Sequence, residues 1–220
     1  MQGSWDVSGG GRKRSDPCGP ERLSFLQALV CEYQESTDEG ACDQVLANLA
    51  NFASDPTQAP FLLALQVPAL FSDAATSSRE RTAEFGMGGL CNLSADPRCR
   101  DAIEAAGGVE AAVRCLSRAS EETVLSAITA LVLLRQHRHQ RQQRGPWAAL
   151  PVVQCMLRLQ QAESARLRTL ATLFLQDCCS PAQASACVEE AHKTESQSTV
   201  GIPLPPGPPP TTDLSPGRGP

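Results

Sequence analysis

The sequence predicts an all-α protein: a solenoid of about four helical repeats, the first incomplete, flanked by disordered termini. Three observations carry that expectation. The stretch Ala47-Asn48-Leu49-Ala50-Asn51-Phe52-Ala53-Ser54-Asp55-Pro56 returns 41 residues later as Gly88-Gly89-Leu90-Cys91-Asn92-Leu93-Ser94-Ala95-Asp96-Pro97, with Leu, Asn, Asp and Pro in register. The same step reaches Ala130-Leu131-Val132-Leu133-Leu134, and a step of 42 reaches Thr172-Leu173-Phe174-Leu175. Leu46/Met87/Ile128/Leu170 and Leu49/Leu90/Leu131/Leu173 then line up as apolar anchors, and a fixed period of this length is the mark of stacked helical units. Finally, apolar residues make up 41% of the chain but aromatic residues only 4%. A core of Leu, Ala, Val and Cys suits close-packed helices better than strands, which favour aromatic and β-branched residues.

Residues 1–20 are Gly-rich with a basic cluster, Arg12-Lys13-Arg14, and cannot bury enough apolar surface to fold. The cluster fits either a nuclear-localisation patch or a solvated tail. Residues 21–181 form the repeat domain, in units of about 21–56, 57–97, 98–137 and 138–181. In the first unit Leu23, Leu26, Leu29 and Val30 recur at helical spacing. A second helix carrying Leu46, Leu49, Ala50 and Ala53 stops at Asp55-Pro56, since the residue before proline is pushed out of the α region. The second unit has a short helix from Phe61 to Gln66 and another opened by Val67-Pro68. Ser77 and Glu80 are spaced as a capping box for a long helix with Phe85, Met87, Leu90 and Leu93. Gly86, Gly88 and Gly89 inside that helix mark the close passage of a neighbouring helix or of a ligand backbone.

In the third unit Arg98 to Ala106 forms the short helix, Gly107-Gly108 the bend and Val109 to Leu116 the next helix. Ser120-Glu121-Glu122 then caps a helix from Thr123 to Leu134 that is apolar nearly all round. The fourth unit breaks the pattern. Residues 135–144 hold four arginines and two histidines without an acid, readable as a contact for RNA or an acidic partner, or as a solvated loop. Helical pattern resumes at Pro151–Leu157 and Leu167–Gln176 before Pro181. Residues 182–220 form a polar stretch and then a proline-rich tail. Its run Pro203-Leu204-Pro205-Pro206-Gly207-Pro208-Pro209-Pro210 favours polyproline II, a form read by SH3 and WW domains and equally a spacer.

Composition narrows the function. A net charge of −5 and an estimated pI of 5.3 lack the electrostatic footprint of a nucleic-acid binder. No apolar run approaches a spanning helix, and the first 20 residues hold no signal-type apolar core, so no membrane role is expected. The ten cysteines include no CxxC pair, and His137-x-His139 has no cysteine at ligand spacing, so no metal is expected. Cys91, Cys115 and Cys155 fall in apolar runs as small core hydrophobes. With three histidines and no phosphate loop, nucleophile elbow or HExxH, the chain reads as a non-enzyme with no cofactor or small-molecule substrate.

The third unit resembles an armadillo repeat in Ala105-Ala106-Gly107-Gly108-Val109, Cys115-Leu116-Ser117 and Glu121-Glu122-Thr123-Val124. A resemblance to one branch of the armadillo repeat family spans roughly residues 23–205. It rests on Phe25–Val30, Gln44–Ala53, Gly88–Leu93, Glu121–Ala130, Pro151–Arg158 and Gly201–Pro205. It implies a nuclear protein-interaction scaffold, paired with an RNA-recognition-motif protein, RNA-binding motif protein 48, and supporting the minor (U12-type) spliceosome, with RNA contacted only indirectly. Two other uses are compatible with an armadillo array: a signalling adaptor working through its groove and Pro-rich tail, and a nuclear-import-type peptide carrier. The resemblance also places a groove along the third helices. Import-type relatives hold peptides there with a Trp and an Asn one turn apart. Here the Asn survives at Asn51 and Asn92, while Ala47, Gly88, Thr129 and Ala171 stand at the Trp positions. The expected groove therefore has a polar half, Gln44, Asn51, Glu84 and Asn92, and an apolar half, Thr129, Leu133 and Leu175 with Arg168 nearby. Each Asn is equally readable as a helix-to-helix hydrogen bond.

Overall fold

The computed structural model describes residues 19–140 and 149–179, and those residues form ten helices. They are α1 (Pro20–Glu35), α2 (Glu39–Phe52), α3 (Ala59–Ala64), α4 (Val67–Ala75), α5 (Glu80–Ser94), α6 (Arg100–Ala105), α7 (Gly108–Cys115), α8 (Glu121–Gln140), α9 (Leu150–Leu159) and α10 (Ala165–Cys178). The second and third repeats are complete triplets, α3–α4–α5 and α6–α7–α8, while among the described residues the first and fourth show the pairs α1–α2 and α9–α10. The basic N-terminal cluster and the proline-rich tail lie outside the described residues. Among those residues no helix is long and apolar enough to cross a membrane.

The long third helices stack side by side, α2 on α5, α5 on α8 and α8 on α10, with α4 and α7 packed behind. Local chemistry sets the joints. Asp38 caps α2 by accepting from the Gly40 and Ala41 amides at 2.8 and 3.1 Å. The two Asp-Pro loops fold alike: Asp55 accepts from the Thr57 amide and Asp96 from the Arg98 amide, each at 2.9 Å. The bends between first and second helices also match, with Gly107 at φ 74° and Gln66, 41 residues earlier, at φ 55°. Gly107 adopts this left-handed conformation freely. Gln66 does so against the clash its Cβ meets.

The core follows the 41-residue step through three copies: Leu46, Met87 and Ile128, and Leu49, Leu90 and Leu131, are fully buried. The fourth copy corrects the alignment. Leu170 is only half-buried and Leu173 is 45% exposed. Helix α9 has 10 residues where α7 has 8, which delays the last third helix by two. The N-caps Ser120 and Ser164 are therefore 44 residues apart, and on that step Leu175 answers Leu131 and Cys178 answers Leu134, all four buried.

Two further expectations change. Helix α5 starts at Glu80, two residues later than the Ser77–Glu80 spacing suggested, so no capping box forms there. Glu80 instead binds across to the third repeat, accepting from Arg118 Nη1 at 3.2 Å and from the Ser120 amide at 3.0 Å. The basic stretch after Leu134 does not break the helix at once, because α8 continues through Gln140. Ser120, by contrast, caps α8 as expected, its hydroxyl accepting from the Thr123 amide at 3.3 Å.

A candidate protein-binding groove along the third helices

The repeat step identifies which side chains share the open side of the ladder. Helices α8 and α10 flank a cleft of about 520 Å³ lined by Glu122, Leu125, Ser126 and Thr129 from one and by Arg166, Thr169 and Leu170 from the other, with Cys91 of α5. One repeat earlier, Arg81, Phe85 and Gly88 of α5 take the places of Glu122, Ser126 and Thr129. One repeat earlier again, Gln44 and Ala47 of α2 do the same. Gly88 fits this placement, since a Cβ built on it meets nothing within 4 Å. Gly86 and Gly89 face the other way, where a Cβ would lie 2.5 Å from the Ala75 nitrogen and from the Phe71 ring. Close helix packing thus explains two of the three glycines.

The side chains on this surface differ in how far they are already engaged. Gln44 is exposed and donates to Asn48 at 3.2 Å. Asn51 is exposed at the end of α2, and its side-chain amide has no hydrogen bond among the described residues. Thr129 lines the cleft with its hydroxyl bonded to the Leu125 carbonyl at 2.8 Å. Leu133 is half-buried at the position that Asn51 and Asn92 hold in the earlier repeats. At the rim Glu122 and Arg166 form an exposed ion pair, which holds the Glu122 carboxyl below its ordinary range. Cys91 is desolvated by its half-buried place, which pushes its thiol up to about 11 and leaves it protonated near neutral pH.

Four of the residues expected to line the groove serve elsewhere. Asn92 donates to the Ala50 carbonyl at 2.9 Å, a clamp between the first and second repeats. Glu84 accepts from the Ser120 hydroxyl at 2.6 Å and ties the second repeat to the third. Arg168 turns to the preceding loop, donating to the carbonyls of Ala162 and Glu163 at 2.8 and 2.6 Å. Leu175 packs in the core at 8% exposure. The last two were misplaced by the two-residue shift of α10. Ala171, aligned with the tryptophan position of import receptors, is likewise fully buried, and the exposed Leu173 takes its place in the row.

Sequence reasoning also passed over two members of the surface. Arg81 lies 5.6 Å from the centroid of the Phe85 ring, a cation–π pair on the exposed side of α5. The signal was available, because Phe85 aligns with Ser126 and Gln44 at the 41-residue step.

A stack of helical triplets with an open row along its third helices is the architecture of an armadillo repeat protein. Solved structures agree on the fold. The chain matches a designed armadillo repeat protein with a TM-score of 0.60 and 16% identity, covering 82% of this chain and 80% of that one. It matches another, in complex with the peptide (KR)4, with a TM-score of 0.61 and 15% identity over 82% and 81%. No protein-family model matches. At the level of sequence the chain is 47% identical over 189 residues to armadillo repeat-containing protein 7 of Mus musculus, covering 84% of this chain and 90% of that protein. The chain belongs to the family of armadillo repeat-containing protein 7.

Proposed function

We propose that this chain is a non-enzymatic nuclear scaffold that holds an RNA-recognition-motif protein, RNA-binding motif protein 48, and supports splicing by the minor spliceosome, contacting RNA only through that partner. One observation carries the scaffold part: an open row of side chains crosses all four third helices and includes the exposed Asn51, Arg81 and Leu173, with Arg81 over the half-buried Phe85 ring. Extended faces of this kind are how solenoids bind other proteins. The likeness to a designed armadillo protein solved with a bound peptide supports a protein ligand. The choice of partner and compartment rests on the family resemblance. The absence of aromatic residues at Ala47, Gly88 and Thr129 argues against a carrier of basic import peptides, which needs rings to hold lysine stems.

The test is capture of partners by the tagged full-length chain from nuclear extract, with and without ribonuclease. RNA-binding motif protein 48 is expected to be retained after ribonuclease, with minor-spliceosome components reduced. Thr129→Arg, which fills the cleft without touching the core, should lower capture of the partner at least tenfold while leaving the melting curve in place. Capture of import receptors or SH3 proteins alone would overturn the partner assignment.

A further inference from the structure

We propose that the chain's own proline run, Pro203 to Pro210, occupies the α5–α10 part of this groove and competes with the external partner there. The inference rests on the groove being a binding surface but not on the identity of its partner. The chemistry of the two sides matches. A proline lacks a backbone N–H, so the run Pro203-Leu204-Pro205-Pro206-Gly207-Pro208-Pro209-Pro210 presents mostly carbonyl acceptors and flat apolar rings, and from Gly201 to Thr212 it carries no charge. The groove offers the complement. Arg81 is exposed and has no acidic partner among the described residues, and its guanidinium lies over the Phe85 ring. That gives a bank of donors on an aromatic step, the pairing with which polyproline II segments are generally held. Beside it Gly88 leaves the floor bare, and Leu170 and the 45% exposed Leu173 supply an apolar wall on α10. The charges on the α8 and α10 side of the cleft, Glu122 and Arg166, are already paired with each other, so an uncharged segment adds no unpaired charge there.

Chain length supports the same occupant. The described structure ends at Cys179, directly after α10, the helix that forms the near wall of the cleft. Twenty-three residues, 180–202, separate that point from the run. A coil of that length has a root-mean-square span of roughly 26 Å. From α10 to α5 is two helix spacings, roughly 16–20 Å. A tether whose span matches the gap holds its end at an effective concentration on the order of millimolar. A segment with only millimolar intrinsic affinity would then fill the groove for about half the time, enough to raise the threshold for an external ligand.

The experiment measures fluorescence anisotropy of a labelled peptide of residues 201–212 added to two full-length chains. One is the natural chain and the other carries Pro205, Pro206, Pro208 and Pro209→Ser. The peptide is expected to bind the substituted chain with a Kd on the order of 1 mM or below and the natural chain at least twofold more weakly, because there the site is self-occupied. In the substituted chain Phe85→Ala should weaken binding about tenfold. Arg81→Ala, at an exposed position the fold does not use, should weaken it several-fold and guards against a Phe85 variant that fails to fold. Equal binding to both chains, no binding at several millimolar, or indifference to both substitutions overturns the proposal. None of those results bears on whether the natural chain captures RNA-binding motif protein 48, so the two failures remain distinguishable.

Discussion

The joint between the first two repeats and the joint between the last two use neighbouring positions on the third helices but bury their charges differently. In the first, Asp43 of α2 is 3% exposed and accepts from Arg79 Nη2 and the Thr82 hydroxyl, each at 2.7 Å. Two longer-range bonds reinforce it: Asn92 to the Ala50 carbonyl and Arg98 Nη2 to the Pro56 carbonyl, both at 2.9 Å. The position of Asp43 is held in α5 by Glu84 and in α8 by the buried Leu125. At the last joint the acids have moved to the rim, where Glu121 accepts from Ser164 at 2.7 Å and Glu122 pairs with Arg166, all in contact with solvent. Among the described residues the acidic clamps therefore move outward along the array, from the buried Asp43 at the first joint to the exposed Glu121 and Glu122 at the last. Exposed pairs add little in water, whereas a desolvated carboxylate makes its partners indispensable.

The largest predicted effect breaks the first joint. Asp43→Ala leaves the Thr82 hydroxyl and one end of Arg79 without their acceptor. It should cost about 2–4 kcal/mol in urea unfolding, at the lower end if the partly exposed Arg79 rehydrates. Glu122→Ala at the last joint should leave the urea midpoint where it is. A native chain in which the two substitutions cost the same would refute the contrast. Hydrogen exchange should show it directly, with α9 and α10 opening before α4 and α5.

Alkaline pH probes the middle of the array. Burial pushes Cys115 up to about 11, and likewise Cys99. A group whose pKa is raised on folding stabilises the fold fully below its unfolded value, here 9.0, and loses that contribution as pH rises through the folded value. Stability should therefore fall between pH 9 and 11, by on the order of 2 kcal/mol for each such thiol. Cys115→Ala should flatten that limb relative to its own value at pH 7. Near neutral pH a thiol reagent should modify the exposed Cys31 well before Cys115.

Asn92→Ala comes next, at about 1 kcal/mol for a single half-buried amide-to-carbonyl bond. Its interest lies in partner binding, which it should leave unchanged within twofold by titration calorimetry. A larger loss would return Asn92 to the groove.

How much of this was legible in the sequence depends on which physical signal each feature left. The triplets, the Asp-Pro stops and the Gly107 bend were readable because each imposes a backbone conformation that few residues satisfy. The buried anchors of three repeats followed from the 41-residue step. The fourth register was not, because two extra residues in α9 leave the Leu-rich pattern of α10 looking continuous with a step of 42. That single slip misassigned Leu175 and Arg168. Glu84 and Asn92 failed for another reason: a polar residue on a third helix looks the same in sequence whether it meets a ligand or the next repeat. Only the 2.6 and 2.9 Å bonds to Ser120 and Ala50 decide between them.

The smallest effect has the opposite sign and tests the two faces of α5, the helix shared by the first two joints. Gly88 is in mid-helix with open space where a Cβ would go, so it contributes backbone freedom to the unfolded chain and nothing to packing. Gly88→Ala should therefore stabilise the chain by about 0.5–1 kcal/mol. Two residues away, Gly86→Ala places a methyl 2.5 Å from the Ala75 nitrogen and 2.8 Å from the Ala74 carbonyl carbon, atoms of helix α4 that cannot move alone. There the same substitution should destabilise, by about 1–3 kcal/mol as overpacking does. If Gly88→Ala also destabilised, α5 would be packed on the side assigned here to the groove. The open row would then end at α8, and the surface left for a partner would be the α8–α10 cleft alone.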